Sequence, residues 1–410
     1  MEENCELKQW FAESRSLFDR LCIQSIPSTC STIEWLPQGD QGNDCNVEIS
    51  QLRLTVGTNA DVGGRGNIID FDYALSKLQL RPDLPDVQSN TYIVANDACK
   101  LNRCFTIVHD GKVNRCRYMP QCPEMLATQT DSGEVHLFDK ERLPRMTTVF
   151  DIPSPTFSLK GQKKPGLGLS WSACRTGDLL SSSEDGRVYY WNVMTLERTN
   201  RDAVDAHRMF TYGSVSANEV AWSNHIPQLF ASVCQDGRLC LWDISTPDPS
   251  TPVVNVLSHE QSATCVAFNK LNPALLATGS SDKTLAIWDL RRVKEKLFSV
   301  AIADGHVTRL DWSPHNELII STGHTDGRIN IWNLGMPSCS DTAANEHCAS
   351  NLMFTYDGHK RAVNDLSWHS EIPFLMASIG SDRYIHVWQM DICAYKDILP
   401  GGAMLNNVKR

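Results

Sequence analysis

The stretch Leu276-Ala-Thr-Gly-Ser-Ser-Asp-Lys-Thr-Leu-Ala-Ile-Trp-Asp289 decides the fold of this chain. Its second half, Thr284–Trp288, is composed of residues that suit a β-strand, and Asp282 lies in the tight turn before it. Trp288 follows Thr278 by ten residues and another aromatic residue by twenty. These spacings recur along the chain, so the stretch is one unit of an internal repeat.

Aromatic pairs separated by twenty residues mark six such units. They are Tyr118 with Phe138, Trp171 with Trp191, Trp222 with Trp242, Phe268 with Trp288, Trp312 with Trp332 and Trp368 with Trp388. The second members lie 53, 51, 46, 44 and 56 residues apart, which is close to the length of a four-stranded propeller blade. Ten residues before each second member is a hydroxyl group, carried by Thr128, Ser181, Ser232, Thr278, Thr322 and Ser378.

Aspartate and histidine also recur at fixed distances before the second aromatic residue of the repeat. An aspartate precedes the second aromatic by six residues in five units, as Asp185, Asp236, Asp282, Asp326 and Asp382. A histidine precedes it by twenty-nine in three units, as His109, His259 and His359. The residue types match a Ser-His-Asp catalytic triad. Their repetition instead predicts a structural network in which aspartate binds histidine and the hydroxyl bridges histidine to the indole N–H.

This set resembles WD40 repeats, and the fold predicted from it is an all-β, seven-bladed β-propeller with an N-terminal α-helix. Six blades carry the aromatic pair, and residues 31–104 supply a seventh, atypical blade from three strand-like runs without it. The predicted divisions are a leader at 1–27, the propeller at 28–395 and a tail at 396–410. Residues 80–90 are predicted to form a surface loop.

The leader is predicted to be an amphipathic helix, because its apolar residues fall on one helical face. These residues are Leu7, Trp10, Phe11, Leu17, Phe18 and Leu21. Pro27 marks the stop. Such a helix either packs on the propeller alone or also lines a binding surface.

An insertion at 335–351 in blade six exceeds what a propeller turn needs, and a strand resumes at Leu352–Tyr356. Long loops in compact domains are often functional, and a tolerated flexible insertion is the alternative.

The amino-acid composition excludes several classes of function. The chain has 410 residues, and its 38 Lys+Arg against 48 Asp+Glu give a net charge of 38 − 48 = −10. This charge argues against a nucleic-acid binder and favours a basic protein partner.

The fifteen cysteines lack zinc-finger spacing and are expected to be reduced thiols, so no metal or cofactor is predicted. No membrane segment, signal peptide or enzyme motif is found, and a soluble, intracellular, non-enzymatic protein is expected.

Longer strings resemble one family, the retinoblastoma-associated histone-binding WD40 proteins of the chromatin assembly factor 1 small-subunit type. They include Val113-Asn-Arg-Cys-Arg-Tyr-Met-Pro-Gln121, Asp311-Trp-Ser-Pro-His-Asn-Glu317 and Val387-Trp-Gln-Met390. The resemblance implies a nuclear scaffold and histone chaperone that binds histone H4 and the H3–H4 pair. It further implies membership of chromatin assembly, deacetylase, acetyltransferase or methyltransferase complexes.

In that family the leader helix and the blade-six insertion clamp the first helix of histone H4. Carried over, the groove has Leu17 and Leu21 on the helix, with Leu352 and Phe354 on the opposite wall. Only two acids, Asp341 and Glu346, remain on the insertion, which is densely acidic in the family. Because an exposed charge pair contributes about 0.2–1 kcal/mol, this loss should weaken histone H4 binding without abolishing it.

The family also binds the histone H3 tail at an acidic mouth on one face of the ring. The corresponding positions here are Lys112, Pro165, Asn218, His306 and Ser381, with Asn114 and Glu219 nearby. None of the first five is an acid, so a basic peptide would gain little electrostatic attraction there.

One alternative function is a substrate receptor of a cullin-type ubiquitin ligase. Its basis is Trp288-Asp-Leu-Arg291, a W-D-x-R string that many such receptors place at the adaptor contact.

Overall fold

The computed structural model describes residues 10, 14, 17–37, 49–60, 64–76, 91–94, 101–145, 153–195, 203–302, 305–335, 351–395 and 398. Within them the chain forms thirty β-strands in seven sheets, with three short 3-10 helices at Lys140–Arg142, Val193–Thr195 and Ile392–Ala394. No helix among these residues has the length and apolar character needed to span a bilayer.

The strands of the first half are β1 (Phe18–Ser25), β2 (Cys30–Leu36), β3 (Ile49–Thr58), β4 (Arg65–Ser76), β5 (Thr91–Val94), β6 (Leu101–Asp110), β7 (Val113–Met119), β8 (Cys122–Thr130), β9 (Val135–Asp139), β10 (Phe157–Lys160), β11 (Leu169–Trp171), β12 (Asp178–Ser182), β13 (Arg187–Asn192), β14 (Ala203–Asp205) and β15 (Arg208–Thr211). Those of the second half are β16 (Ala217–Trp222), β17 (Leu229–Cys234), β18 (Arg238–Asp243), β19 (Val254–Leu257), β20 (Ala263–Phe268), β21 (Leu275–Ser280), β22 (Thr284–Asp289), β23 (Lys296–Ala301), β24 (Val307–Trp312), β25 (Ile319–His324), β26 (Ile329–Asn333), β27 (Leu352–Tyr356), β28 (Val363–Trp368), β29 (Leu375–Gly380) and β30 (Tyr384–Met390).

These strands build the predicted seven-bladed propeller, which is confirmed. From the inside outward, blade one is β2-β3-β4-β6, blade two β7-β8-β9-β10-β14 and blade three β11-β12-β13-β15. Blades four, five and six are β16–β19, β20–β23 and β24–β27, and blade seven is β28-β29-β30-β1-β5. Each innermost strand contacts the innermost strand of the next blade, and β28 contacts β2, so the ring is closed.

The ring closes through the beginning of the chain. Strand β1 pairs antiparallel with β30, from Phe18 opposite Met390 to Ser25 opposite Tyr384. The predicted leader helix is therefore wrong over 18–21, where backbone pairing with the last blade overrides the helical spacing of apolar residues. Of residues 1–17 only Trp10, Ser14 and Leu17 are described, so the rest of that prediction lies outside the described residues, as does most of the predicted loop at 80–90.

The apolar cores lie between neighbouring blades. Leu285 and Ile287 of blade five pack in one cluster with Trp312, Ile320 and Trp332 of blade six. Since each sheet is covered on both faces, the four middle residues of β22 are all buried. This burial on both faces explains why large aromatic residues recur in the repeat, because side chains from two sheets must fill the space between neighbouring blades.

The offset of twenty residues joins the innermost strand of a blade to its third strand. Phe268 lies opposite Leu276, which in turn lies opposite Trp288. Blade one has the same arrangement, because Trp35 lies opposite Leu54 and Leu54 opposite Phe71. Longer connections in that blade change the spacing, so the sequence pattern did not reveal the pair.

Blade seven contains the complete predicted network. Blade five differs at one contact, because His259 Nδ1 lies 2.7 Å from Thr284 Oγ1 and 3.4 Å from Asp282 Oδ2. In blade seven His359 Nδ1 lies 2.9 Å from Asp382 Oδ2, and His359 Nε2 lies 2.9 Å from Ser378 Oγ. Trp388 Nε1 donates to the same Ser378 oxygen (3.3 Å). In blade five Thr278 Oγ1 lies 2.8 Å from His259 Nε2 and accepts from Trp288 Nε1 (2.9 Å).

The other blades keep parts of this network. His109 Nε2 lies 3.0 Å from Thr128 Oγ1 in blade two, and Gln162 occupies the histidine position of blade three, where it accepts from Ser181 (2.7 Å). In blade six Thr322 binds His324 of its own strand (2.9 Å). Asp185, Asp236 and Asp326 accept from the backbone N–H two residues ahead and so stabilise the turn, as predicted for this position.

We expect Thr278→Val to lower the free energy of unfolding by about 2–4 kcal/mol, because it leaves two buried groups, His259 Nε2 and the Trp288 N–H, without a partner. Urea unfolding at constant pH measures this.

The matched control is Thr128→Val, where Phe138 replaces the indole and a single group, His109 Nε2, loses its partner. Its expected cost is about 1–2 kcal/mol. Equal effects of the two substitutions would contradict the proposed role of the indole contact.

Candidate functional site

The leader packs against the outer strand of blade six. The Trp10 ring meets Tyr356 edge-on at 5.6 Å between centroids, and Trp10 Nε1 donates to Asp357 Oδ1 (2.6 Å). Phe18 meets Phe354 edge-on at 5.7 Å. Tyr356 in turn stacks on Trp388 of blade seven at 4.4 Å. Blades six and seven are thus joined by one aromatic cluster that includes the leader.

We call the outer side of this contact, formed by Leu17, Phe18, Leu352 and Phe354, the leader surface. Leu17 is 50% exposed and Leu352 is 36% exposed, while Phe354 is half-buried. Leu352 lies opposite Trp332 and Phe18 opposite Met390, near the ends of the third strands of two neighbouring blades. The two leucines therefore lie at the same end of adjacent outer strands.

One of the predicted groove residues, Leu21, is not on this surface. Leu21 is only 1% exposed, because it lies on β1 opposite Trp388 and packs inside the blade core. Its assignment to a helical wall of the groove is corrected. Asp341 and Glu346 lie outside the described residues.

The predicted mouth residues share one end of the ring. Lys112, Pro165 and His306 precede innermost strands, Asn218 and Asn114 lie near the beginning of such strands, and Ser381 follows β29. Several are already engaged: Asn218 Nδ2 donates to Ser262 Oγ (2.9 Å) and to the Ala263 carbonyl (2.7 Å) of the next blade. Asn114 is buried and Ser381 Oγ donates to Asn364 Oδ1 (3.0 Å).

Glu219, the surviving acid of the mouth, is buried in an ion cluster that sequence analysis did not identify. It binds Arg115, whose side chain is 2% exposed, and lies 3.6 Å from Arg309. Asp365 is the second acid of this cluster, with oxygen atoms 3.1 Å from Arg115 and 3.0 Å from Arg117. A basic peptide would have to compete with three arginines for these carboxylates.

The cluster forms part of a central channel with a cavity of about 420 Å³, lined by the innermost strands of all seven blades. Burial alone would raise the pKa of Asp365, but the guanidinium groups of Arg117, Arg115 and Arg309 outweigh it and hold that pKa below its usual range. Burial raises the pKa of Glu34 to about 7, although Arg117 opposes the shift. The alternation of Arg115 and Arg117 on β7 was the available sequence signal, since side chains two apart share a strand face.

One described group has metal-ligand residue types within 4.8 Å of one another: His359, Asp382 and His386. The two imidazole rings are stacked, with centroids 3.8 Å apart and planes at 18°. Stacked rings direct their in-plane lone pairs nearly parallel, so the nitrogens do not converge on one ion. Both His359 nitrogens are also engaged by Asp382 and Ser378. The group fits a structural role.

Comparison with known proteins agrees with this architecture. Residues 251–289, 298–333 and 350–389 match the family model described as WD domain, G-beta repeat. Each match covers the outermost strand of one blade and the inner three strands of the next. The chain is also similar to a solved structure described as "Crystal Structure of Mitotic Checkpoint Complex", at 16% identity over 92% of this chain and 96% of that chain, with a TM-score of 0.62. At that identity the likeness shows the fold alone.

We expect Asp365→Asn to lower the free energy of unfolding by about 3–5 kcal/mol, because it leaves the buried Arg115 and its neighbours without a shared carboxylate. The control Asp72→Asn breaks a solvent-exposed pair with Arg53 and should cost less than about 1 kcal/mol. Chemical denaturation of both variants checks this, and a small effect of Asp365→Asn would show that the cluster does not stabilise the ring.

Proposed function

We propose that this seven-bladed WD40-repeat propeller is a non-enzymatic, nuclear scaffold that binds the first helix of histone H4 at the leader surface. The observation that carries the proposal is the contact of the leader with β27, through Trp10 on Tyr356 and Phe18 on Phe354. The resemblance to histone-binding WD40 proteins implies that the ligand helix is held between the leader and the blade-six insertion, with Leu352 and Phe354 of β27 on the wall opposite the leader. It also implies membership of chromatin assembly or modifying complexes, and contact with the H3–H4 pair.

The chemistry of the leader surface suits an amphipathic helix. Exposed Leu17 and Leu352 offer apolar side chains beside the half-buried Phe354, and an apolar helix face could cover all three. Burying one such side chain contributes roughly 1.5–3 kcal/mol, so two or three anchors can dominate the affinity.

Charge supports a basic ligand. The chain carries a net charge of −10, and exposed Asp357 lies beside Trp10. In the proposal Asp341 and Glu346 of the insertion add two carboxylates to the same surface. Their effect is mainly on the association rate and orientation of the basic helix.

The propeller mouth is not proposed as a second site for a basic tail. Its surviving acid, Glu219, is 7% exposed and is neutralised by Arg115 and Arg309. Exposed His306 and half-buried Lys112 add no negative charge there. A basic peptide would find neither a free carboxylate nor a favourable field at these positions.

The buried Ser-His-Asp sets support the non-enzymatic part of the proposal. Ser378 is 0% exposed and its oxygen accepts from the Trp388 indole. The nucleophile of a hydrolase must instead reach a substrate atom.

The ligase-receptor alternative gains no support from the described contacts. Arg291, the last residue of its W-D-x-R string, is bound within its own turn by Asp289 (2.9 Å from Nε to Oδ1 and 2.6 Å from Nη2 to Oδ2). That pairing stabilises the turn and accounts for the string without an adaptor.

We expect Leu17→Asp and Leu352→Asp each to weaken binding of a histone H4 first-helix peptide by roughly 10- to 100-fold, since each removes one apolar anchor and places a charge in the contact. Isothermal titration of the purified chain with the peptide measures the change, and a thermal melt confirms folding.

The matched control is Leu257→Asp, an exposed leucine (62%) on the outer strand of blade four, far from the leader. It should leave the affinity unchanged. If the leader variants bind as tightly as this control, the ligand does not use the leader surface.

A further inference from the structure

A second cavity, of about 440 Å³, lies between blade seven and blade one. Among the described residues, its charged lining residues are Arg103 of β6 and Arg383 of the β29–β30 turn, and none of them is a carboxylate. The connection from β1 to β2, at Ile26–Thr29, forms one side. We call this cavity the seam pocket, because it lies where the first and last blades meet.

The positive character of the seam pocket is unusual for this chain. The central channel is lined by four acids, Glu34, Glu219, Asp311 and Asp365, together with its basic residues. The cavity around Lys140 likewise includes Asp70 and Asp72. In a chain with a net charge of −10, a pocket whose described lining has two arginines and no acid needs a specific explanation.

Several hydrogen-bond donors of the seam pocket are uncommitted. Within the described part of the chain, neither Arg103 nor Arg383 forms an ion pair, and the side chains of Ser28 and Asn67 make no hydrogen bond. By contrast, two other exposed arginines are paired, Arg53 with Asp72 and Arg291 with Asp289. The pocket thus presents two guanidinium groups, a hydroxyl and an amide to one shared space.

The backbone at Arg383 gives an independent observation. The equivalent turn position is glycine in four other blades, Gly133, Gly186, Gly237 and Gly327, with φ values of 90°, 83°, 80° and 93°. Arg383 adopts φ of 67° there, a left-handed conformation that is unfavourable for residues other than glycine. The chain accepts this strain and gains a guanidinium at the edge of the pocket. Lys283 adopts the same φ in blade five, so the conformation itself is tolerated by the turn and the guanidinium is what distinguishes Arg383.

We propose that the seam pocket binds a phosphate monoester carried by a serine or threonine of a partner peptide. Guanidinium groups bind phosphate oxygens through pairs of charge-assisted hydrogen bonds, and arginine pairs recur where phosphorylated residues are recognised. Ser28 and Asn67 supply neutral donors for the remaining oxygens.

A peptide fits the pocket better than a nucleotide or a polyanion. The apolar lining residues are aliphatic, as in Ile26 and Ile69, so no aromatic face is available to stack a base. The net charge of −10 repels extended polyanions such as nucleic acid or an acidic membrane, while a single phosphate feels mainly the two nearby arginines. The volume suits a phosphorylated side chain and its neighbours.

The test is isothermal titration of the full chain, at physiological chloride concentration, with acetyl-phosphoserine-N-methylamide, its unphosphorylated form and inorganic phosphate. We expect saturable 1:1 binding of the phosphorylated compound, weaker binding of inorganic phosphate and none of the unphosphorylated form. Arg103→Gln and Arg383→Gly should each weaken binding about 10- to 100-fold, because each removes charge-assisted hydrogen bonds.

Arg383→Gly matches the glycine of four other blades, so it removes the charge without damaging the turn. Lys283→Gly is its control, since Lys283 occupies the same turn position in blade five with φ of 67° and should leave phosphate binding unchanged. Absence of saturable binding, or binding that survives both arginine substitutions, would overturn the proposal. Inorganic phosphate binding as tightly as the phosphoserine compound would overturn the peptide source.

Discussion

Seven residue pairs, from Phe18 opposite Met390 to Ser25 opposite Tyr384, join the beginning of the chain to its last blade. This pairing converts an open row of sheets into a ring and removes the exposed edge of β30. Closing contacts between β28 and β2 then bring the acid Asp365 to Arg115 and Arg117. The leader surface and the seam pocket also depend on β1, which brings the leader to blade six and leads the chain into blade one.

The structural network of histidine, hydroxyl, aspartate and tryptophan varies in composition from blade to blade, while its position in the blade stays constant. A complete set of histidine, hydroxyl, aspartate and tryptophan is present in blades five and seven. Gln162 replaces the histidine in blade three, and His324 approaches the hydroxyl from the same strand in blade six. In each of these blades a buried hydroxyl group beside the aromatic side chain needs a hydrogen-bond partner. Several residue types can provide that partner.

Charge is distributed so that the channel and the outer surface behave differently. Inside the ring, Arg115, Arg117 and Arg309 are neutralised by Glu219 and Asp365, so the channel residues stabilise each other. At the circumference, Leu17 and Leu352 are exposed, and Arg103 and Arg383 lack acidic partners within the described residues. Both candidate surfaces lie at junctions of neighbouring blades, where side chains of two sheets converge.

The sequence by itself determined the repeat, because Trp288, Thr278 and Asp282 keep fixed distances along one polypeptide whatever the tertiary arrangement. It also indicated all seven blades, the first of them from strand-like runs in residues 31–104 that lack the repeated spacing, and the turn residues of the other six. It did not reveal the aromatic pair Trp35 and Phe71, whose connecting segments are longer, or the strand at Phe18–Ser25, whose apolar spacing imitates a helix. The aromatic pair of blade one and the first strand were decided only by the closed ring. The ring also brought together ion partners such as Arg115 and Asp365. The physical reason is that strand pairing and burial act between residues that are hundreds of positions apart in the sequence.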